Sequence, residues 1–326
     1  SSGEAAKYAM RYSFFHWGLQ PWGVYITMSM AIAYFSFRRG MPPLISSCFY
    51  PLLGDRIYSS IGYLIDVLAV FATIFGIATS LGLGAMQITS VLGFVFGFES
   101  SFSAIFILIC IVTVLFMISS MTGLDKGIQI LSKTNILFAT LLLGFLLLVG
   151  PTTYIFNIFT STIADYFSSL FQMSLSTHPF RGYEWTQSWT LFYWAWWIAW
   201  SPFVGLFVAS ISRGRTIREF ILGALLVPTL LAFLWFSVFG GAAFQIELNT
   251  TASIAEIASE DVSIVLFKLY SYYPLSNMLS IVTVLLLGVF FVTSADSATY
   301  VLSMMTSNGR LTPPASKKLV GGLTVS

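Results

Sequence analysis

The chain has 326 residues, of which 57% are hydrophobic and only 9% are charged, with a mean hydropathy of +0.85 and a net charge of +2. An average soluble domain carries about 25% charged residues, so this composition excludes a soluble globular fold and predicts a polytopic membrane protein. The basic residues lie in short loops between apolar segments, which excludes a nucleic-acid-binding surface. The two cysteines, Cys48 and Cys110, fall in a loop and in mid-membrane, so we expect neither a disulfide nor a metal site.

Seven stretches are long and apolar enough to cross a bilayer, which takes about 20 residues each. They are 18–37, 64–92, 101–120, 134–150, 189–211, 216–239 and 276–305, and an eighth could begin near Leu319. Two further segments, 153–175 and 253–270, have amphipathic patterns and are expected either at the membrane surface or as ordinary loop helices. The sequence therefore predicts an all-α membrane protein.

The basic residues of the loops predict the orientation of these spans, because cytoplasmic loops are enriched in Lys and Arg. The richer set of loops holds Arg38, Arg39, Arg56, Lys126, Lys133, Arg213, Arg215, Arg218, Arg310, Lys317 and Lys318. The opposite loops hold Lys7, Arg11, Arg181 and Lys268, with the acids Glu99, Asp165, Glu184, Glu247, Glu256, Glu260 and Asp261. Seven spans with an inside C-terminus place the N-terminus outside, so we expect further spans before Ser1 and after Ser326.

The fifth span is unusually rich in tryptophan and contains a proline near its middle. Its residues 188–203 read Ser-Trp-Thr-Leu-Phe-Tyr-Trp-Ala-Trp-Trp-Ile-Ala-Trp-Ser-Pro-Phe. Helical spacing places Tyr193, Trp197 and Trp200 on one face, and Trp196, Trp200 and Phe203 on an overlapping one. Pro202 removes the backbone hydrogen bond to Ile198 and is expected to bend the helix. An aromatic face beside an interrupted helix suits the binding of a cation within a membrane.

The first span opens on a second aromatic group. Trp22 and Tyr25 share a helical face, Pro21 suits a first helical turn, and Trp17 joins that face if the residues before Pro21 are not fully helical. The pattern fits an interfacial aromatic belt as well as a binding site.

The second span carries small residues at Gly76, Ser80 and Gly84, which permit close helix packing. The same glycine-rich stretch could instead unwind and offer backbone oxygens to an ion, as transporter helices do.

The seventh span contains a cluster of oxygen-bearing side chains, Thr293-Ser294-Ala295-Asp296-Ser297. An acid and several hydroxyls inside an apolar segment suit a hard cation such as sodium, which takes oxygen ligands. The alternative is that the hydroxyls bond back to the helix backbone and that Asp296 pairs with another helix.

Residues 188–197, Ser-Trp-Thr-Leu-Phe-Tyr-Trp-Ala-Trp-Trp, resemble the signature of the betaine/choline/carnitine transporter (BCCT) family. Four other stretches agree with this resemblance: 16–25, 80–85, 210–220 and 293–297. The resemblance covers essentially the whole chain. It implies an inverted-repeat (LeuT-like) secondary transporter with about twelve spans, ten of them in the core, and a substrate at the midplane. Residues 1–326 would form a single transmembrane domain holding core helices two to eight, and relatives of this kind are often homotrimers.

The resemblance also implies roles for individual residues. An aromatic box around a trimethylammonium group would consist of Trp17, Trp22, Tyr25 and Trp197, with Trp196 and Trp200 lining the adjacent pathway. The main sodium ion would bind Thr293, Ser294 and the backbone carbonyl of Phe290. A second sodium site would fall on Thr73, Ile77 and Phe203, where Ile77 has no side-chain oxygen to offer.

The expected function is sodium-coupled uptake of a quaternary-ammonium osmolyte by alternating access, with glycine betaine favoured because its own carboxylate balances its charge. Sodium is the coupling ion, and no cofactor is expected. The alternatives are a symporter or exchanger for choline, carnitine, proline or ectoine, and a channel or osmosensor. An enzyme is least expected, because no nucleophile–base pair accompanies His16 or His178. The expected location is a bacterial inner membrane.

Overall fold

A computed structural model describes residues 2–97, 101–122, 125–177, 183–251, 254–310 and 312–325. The described residues form helices joined by turns, without a β-strand among them, which confirms the predicted all-α class. Glu99, His178 and Arg181, which the sequence placed in loops, lie outside the described residues.

The longer helices are α1 (Gly3–Trp17), α2 (Leu19–Ala33), α3 (Ser60–Phe96), α4 (Phe102–Thr122), α5 (Asp125–Val149), α6 (Thr152–Leu175), α7 (Phe192–Ile211), α8 (Ile217–Asn249), α9 (Ser276–Met305) and α10 (Ala315–Val325). A π-helical turn, Tyr34–Arg38, continues α2, and another, Gln187–Leu191, leads into α7 after the short helix Tyr183–Thr186. Short helical turns also fill the α2–α3 and α8–α9 connections: Ser46–Phe49, Tyr50–Leu53, Gly54–Tyr58, Ile254–Glu260, Val262–Ile264 and Val265–Tyr270.

Five helical stretches of the described chain are long and apolar enough to cross a membrane. They are Ser60–Phe94, Gln129–Val149, Tyr183–Ile211, Ile217–Asn249 and Ser276–Met305, and each contains most of one predicted span. The remaining predicted spans, 18–37 and 101–120, correspond to α2 with its π-helical turn and to α4. Helix α8, which corresponds to the sixth predicted span, runs ten residues beyond the predicted end, to Asn249 rather than residue 239.

The structure also differs from the sequence prediction in two segments outside the predicted spans. Residues before the first span form helix α1, which buries Met10, Phe14 and Phe15 against α6 and α8, although its polar start suggested no element. The predicted amphipathic segment 253–270 is divided into short helical turns rather than one helix. By contrast 153–175 is a single amphipathic helix, α6.

The Trp-rich helix α7 packs against helices from both parts of the chain. It packs most extensively against α2 and next against α3, while α9 packs against α3, α4, α5 and α10. One apolar cluster lies among α3, α4 and α9, and another joins α1, α6, α7 and α8. Helix α7 contributes to both, so its two sides face different halves of the molecule.

The small residues of α3 form a packing surface. A Cβ atom on Gly76 would lie 2.9 Å from Trp200 Cδ1 and 3.1 Å from the Cβ of Ala199, and one on Gly84 would lie 3.1 Å from the Phe291 ring. Helix α3 is continuous through this region, which agrees with the close packing expected of the small residues and not with the alternative of an unwound stretch. The glycine-rich stretch keeps its helical backbone hydrogen bonds. Its small residues allow α7 and α9 to pack closely against α3.

We therefore expect Gly76→Ala to lower the thermal stability of the detergent-solubilised protein, because the added methyl group must displace a tryptophan ring. Overpacking of this kind costs about 1–3 kcal/mol. Gly82 on the same helix is the matched control, since its added Cβ meets nothing within 4 Å and alanine favours a helix by about 1 kcal/mol over glycine. Equal melting temperatures for the two variants would contradict the close contact at Gly76.

Candidate aromatic and cation site

Helix α7 continues through Pro202 because a neighbouring side chain replaces the missing donor. Proline has no N–H to give to the carbonyl four residues earlier, which belongs to Ile198. The Ser201 hydroxyl donates to that Ile198 oxygen at 2.8 Å. Serine at this position therefore satisfies the backbone group that the proline would otherwise leave without a partner.

Two tryptophans of α7 face α3 and are held there through their indole N–H groups. Trp196 Nε1 donates to Ser80 Oγ at 3.0 Å, and Trp200 Nε1 donates to the carbonyl of Gly76 at 2.8 Å. These bonds join the two helices at the small residues described above. Trp196 and Trp200, predicted to line a pathway, thus lie at the α3–α7 contact.

Trp197 lies on another side of the same helix and is 3% exposed. Its ring lies 5.2 Å from that of Trp194 and 6.1 Å from that of Phe15, which belongs to α1. The predicted aromatic face is therefore divided, with Trp197 directed to α1 and its neighbours Trp196 and Trp200 directed to α3.

His16 is a functional candidate that the sequence reasoning did not select. Its ring is 2% exposed and stacks on Tyr193, with the ring centroids 3.6 Å apart and the planes parallel. Its Nε2 lies 2.8 Å from the carbonyl oxygen of Trp189, which can only accept, so Nε2 carries the proton. Trp189 belongs to the π-helical turn before α7, and such turns are frequent at functional sites. The only sequence signal was the position of His16 directly before Trp17.

The other predicted box residues flank a break in the helix. Gly18 separates α1 from α2, so Trp17 ends one helix while Trp22 and Tyr25 lie on the next. Residues 17–21 are therefore not one continuous helix, which is the condition under which Trp17 was expected to join the face of Trp22 and Tyr25.

Ring contacts connect these residues to the aromatic face in two ways. Trp17 is 43% exposed and lies 5.9 Å from Trp196, while Trp22 lies 5.6 Å from Tyr25 at a near-perpendicular angle. Tyr25 packs in the same apolar cluster as Trp197. Trp17 and Trp22 thus have different ring partners, Trp196 and Tyr25, and Trp197 is covered whereas Trp17 is open.

The residues predicted for the main sodium ion lie on α9. Phe290 and Ser294 both line a small cavity of about 150 Å³ between α3, α7 and α9, which Ser80 and Trp200 also line. The Thr293 hydroxyl donates to the Val289 carbonyl at 2.8 Å and lies 3.3 Å from that of Phe290. A hydroxyl that donates to the backbone keeps lone pairs for a cation, so hydroxyl and carbonyl oxygens of this group suit a hard ion.

The residues predicted for a second sodium ion are less suited to one. Thr73 is fully buried and its hydroxyl donates to the carbonyl of Ala69 at 2.8 Å. Ile77 is 2% exposed in an apolar cluster against which Phe203 packs. Among these three residues, only Thr73 therefore has a side-chain oxygen.

The predicted cytoplasmic arginines come together at one end of the molecule. Arg38, Arg213 and Arg215 line a large cavity of about 1160 Å³ formed by α2, the α7–α8 connection and the start of α8. At the other end Lys7 and Arg11 approach Asp165 of α6, at 3.7 and 3.4 Å.

Comparison with known proteins decides the family. A model of the betaine/carnitine/choline family of transporters, BCCT, matches residues 1–326. The chain belongs to this family. The members of this family are multi-pass membrane transporters and not enzymes, as the sequence led us to expect.

Several curated BCCT relatives are similar over nearly the whole chain. It is 50% identical over 325 residues to the glycine betaine transporter OpuD of Bacillus subtilis, covering 99% of this chain and 63% of that protein. It is 43% identical to the ectoine/hydroxyectoine transporter of Virgibacillus pantothenticus, covering 100% of this chain and 64% of the relative. It is 42% identical to glycine betaine transporter 1 of Vibrio parahaemolyticus, covering 98% and 61%. The chain thus spans less than two thirds of the length of these relatives.

Proposed function

We propose that this chain forms the substrate- and sodium-binding part of a sodium-coupled glycine betaine transporter. The observation that carries the proposal is the aromatic surface of α1, α2 and α7, where Trp17 contacts Trp196, Trp22 contacts Tyr25, and Tyr25 packs in one cluster with Trp197. Ser294 and Phe290 of α9 line a cavity together with Trp200 of α7. The names of the OpuD and Vibrio relatives support glycine betaine as the substrate.

The chemistry of the substrate explains why rings serve this purpose. A trimethylammonium group has no N–H to donate, so it is held by the negative faces of aromatic rings, at about 0.5–2 kcal/mol for each desolvated contact. Glycine betaine carries its own carboxylate, so the protein has no need to bury an acid beside the cation. A site of neutral aromatic residues is suited to such a zwitterion.

Sodium acts as the second transported solute. The proposed ligands are Thr293, Ser294 and the Phe290 carbonyl, and sodium bound there would favour the state that accepts substrate from outside. A second ion is not part of the proposal, because Ile77 lacks an oxygen where the resemblance would require one. We also propose that the protein assembles as a homotrimer in a bacterial inner membrane, because the family resemblance implies this.

Ectoine is the second candidate substrate. The Virgibacillus relative is named for ectoine and hydroxyectoine and is 43% identical over the whole chain. Ectoine has a delocalised ring cation with N–H groups rather than a trimethylammonium group, so it requires hydrogen-bond acceptors that glycine betaine does not. Competition by unlabelled ectoine against labelled glycine betaine separates the two candidates.

The proposal predicts saturable uptake of labelled glycine betaine by the full-length protein in proteoliposomes. Uptake is expected to rise at least tenfold when an inward sodium gradient replaces an equal potassium gradient, because sodium binding and substrate binding favour the same state. Liposomes without protein provide the background. Uptake that is the same in sodium and potassium would overturn the coupling, and non-saturable flux would instead indicate a channel.

A further inference from the structure

The break between α1 and α2 leaves backbone donors that a neighbouring helix satisfies. Gly18 has φ −98° and ψ −133°, and a side chain there would collide with the Phe233 ring at 2.7 Å. The first N–H groups of α2 have no partner within the helix. The first of them, from Leu19, donates to the hydroxyl of Tyr166 at 3.2 Å.

The same Tyr166 hydroxyl donates to the side-chain oxygen of Gln20 at 2.6 Å, and the Gln20 amide donates to Ser174 at 3.1 Å. Ser174 in turn donates to the carbonyl of Leu170 at 2.7 Å. Three consecutive bonds therefore connect the first residues of α2 to one face of α6. Burial raises the pKa of Tyr166 to about 12, so the phenol remains a proton donor at physiological pH.

The ring of Tyr166 is fixed independently of its hydroxyl. It is fully buried, with its centroid 5.2 Å from that of Phe233 and 6.5 Å from that of Phe14. Because the ring cannot turn away, the position of the hydroxyl constrains where α2 begins. Removal of the oxygen alone therefore leaves the packing but frees Leu19 and Gln20.

The location of this network gives it a consequence for binding. Leu19 and Gln20 lie between Trp17 on α1 and Trp22 on α2, so the direction in which α2 leaves the break fixes the distance between the two tryptophans. His16 holds the other side of the break through the Trp189 carbonyl. Hydrogen bonds thus connect the break on one side to the π-helical turn before α7 and on the other side to α6.

We propose that Tyr166 is a positioning residue for the aromatic site, and that it couples the amphipathic helix α6 to that site through Leu19 and Gln20. The part that concerns substrate rests on the proposed function. Tyr166 does not contact substrate; it sets the geometry of the segment that carries Trp17 and Trp22. A displacement of α6 at the membrane surface is thereby transmitted to the substrate rings.

The test compares Tyr166→Phe with Tyr270→Phe in the full-length protein. Tyr270 is also fully buried and shares a hydrogen bond with Thr283 at 3.0 Å, away from the α1–α2 break. Each variant therefore loses one buried hydroxyl and keeps its ring. The first measurement is hydrogen exchange of peptides covering residues 12–25 without substrate, and the second is the KM and maximal rate of glycine betaine uptake.

We expect Tyr166→Phe to speed exchange in residues 12–25 and to raise KM about fivefold with a smaller change in maximal rate, the size expected for one lost hydrogen bond. Tyr270→Phe should change neither. Gln20→Leu should raise KM by a similar factor. The Tyr166→Phe/Gln20→Leu double variant should raise KM by less than the product of the two single factors, because the two side chains share a hydrogen bond.

Exchange in residues 12–25 that matches the wild type would overturn the proposal, as would faster exchange with unchanged KM. If Tyr166→Phe does not fold, Ser174→Ala is used instead, because it removes only the bond between Gln20 and Ser174. We expect it to change the exchange of residues 12–25 and the KM in the same direction but by less. No change in Ser174→Ala would also overturn the proposal. A wild type that takes up no glycine betaine would refute the proposed function, whereas the exchange measurement needs no substrate and still tests the link between α6 and the break.

Discussion

Replacement of Trp197 by leucine is expected to raise the glycine betaine concentration for half-maximal uptake about tenfold or more. The physical reason is the loss of the ring face that holds the trimethylammonium group, at up to about 2 kcal/mol, with about 1.4 kcal/mol corresponding to each factor of ten. Trp197→Phe keeps an aromatic face and should lose less. The measurement is uptake of labelled glycine betaine over a concentration series.

The matched control for Trp197 is Trp235→Leu. Trp235 lies on α8 with its ring 4.5 Å from that of Phe239, so the same change of size is made away from the proposed box. Because Trp197 is almost fully buried, melting temperatures of both variants are needed to separate a loss of binding from a loss of stability. Unchanged apparent affinity in a folded Trp197→Leu protein would contradict the role of this residue.

Removal of the Ser294 hydroxyl is expected to raise the sodium concentration for half-maximal uptake about tenfold, because hydrogen bonds and ligands to a charged group contribute about 1.5–3 kcal/mol. The affinity for glycine betaine at saturating sodium should change much less. The measurement is uptake by Ser294→Ala over a sodium series at fixed substrate.

Ser297→Ala is the control on the same helix. The Ser297 hydroxyl donates to the carbonyl of Thr293 at 2.9 Å, as hydroxyls within helices often do, and Ser297 is not one of the proposed sodium ligands. We expect its sodium dependence to match the wild type. An equal shift in both variants would indicate a general effect on α9, and no shift in Ser294→Ala would remove this residue from the sodium site.

Hydrophobic length and composition were sufficient to predict the main spans. The limits of 276–305 agree with α9, because that segment is apolar over most of its length and is flanked by polar turns. The end of α8 was placed too early, since residues 240–249 mix small, polar and apolar side chains yet continue the helix to Asn249. Helix α1 was missed because its apolar residues are interspersed with Lys7, Arg11 and other polar side chains.

The residue types of the site were more predictable from the sequence than the helices against which each side chain packs. Aromatic and hydroxyl residues within apolar segments indicate a cation site, but they do not indicate which helix each ring faces. The division of Trp196 and Trp197 between α3 and α1 depends on the Ser80 hydroxyl and on Phe15, which are distant in sequence. The bonds of Tyr166 to Leu19 and Gln20 could not be predicted either, since they join residues about 146 positions apart.

The central claim is that aromatic rings select a positively charged trimethylammonium group. The most direct measurement is competition between labelled glycine betaine and 3,3-dimethylbutanoate, which has the same shape and carboxylate but a neutral carbon in place of the ammonium nitrogen. We predict that the neutral analogue competes at least roughly tenfold more weakly in the wild type, and that Trp197→Leu narrows this difference. Equal competition by the two compounds in the wild-type protein would contradict a cation-binding aromatic site.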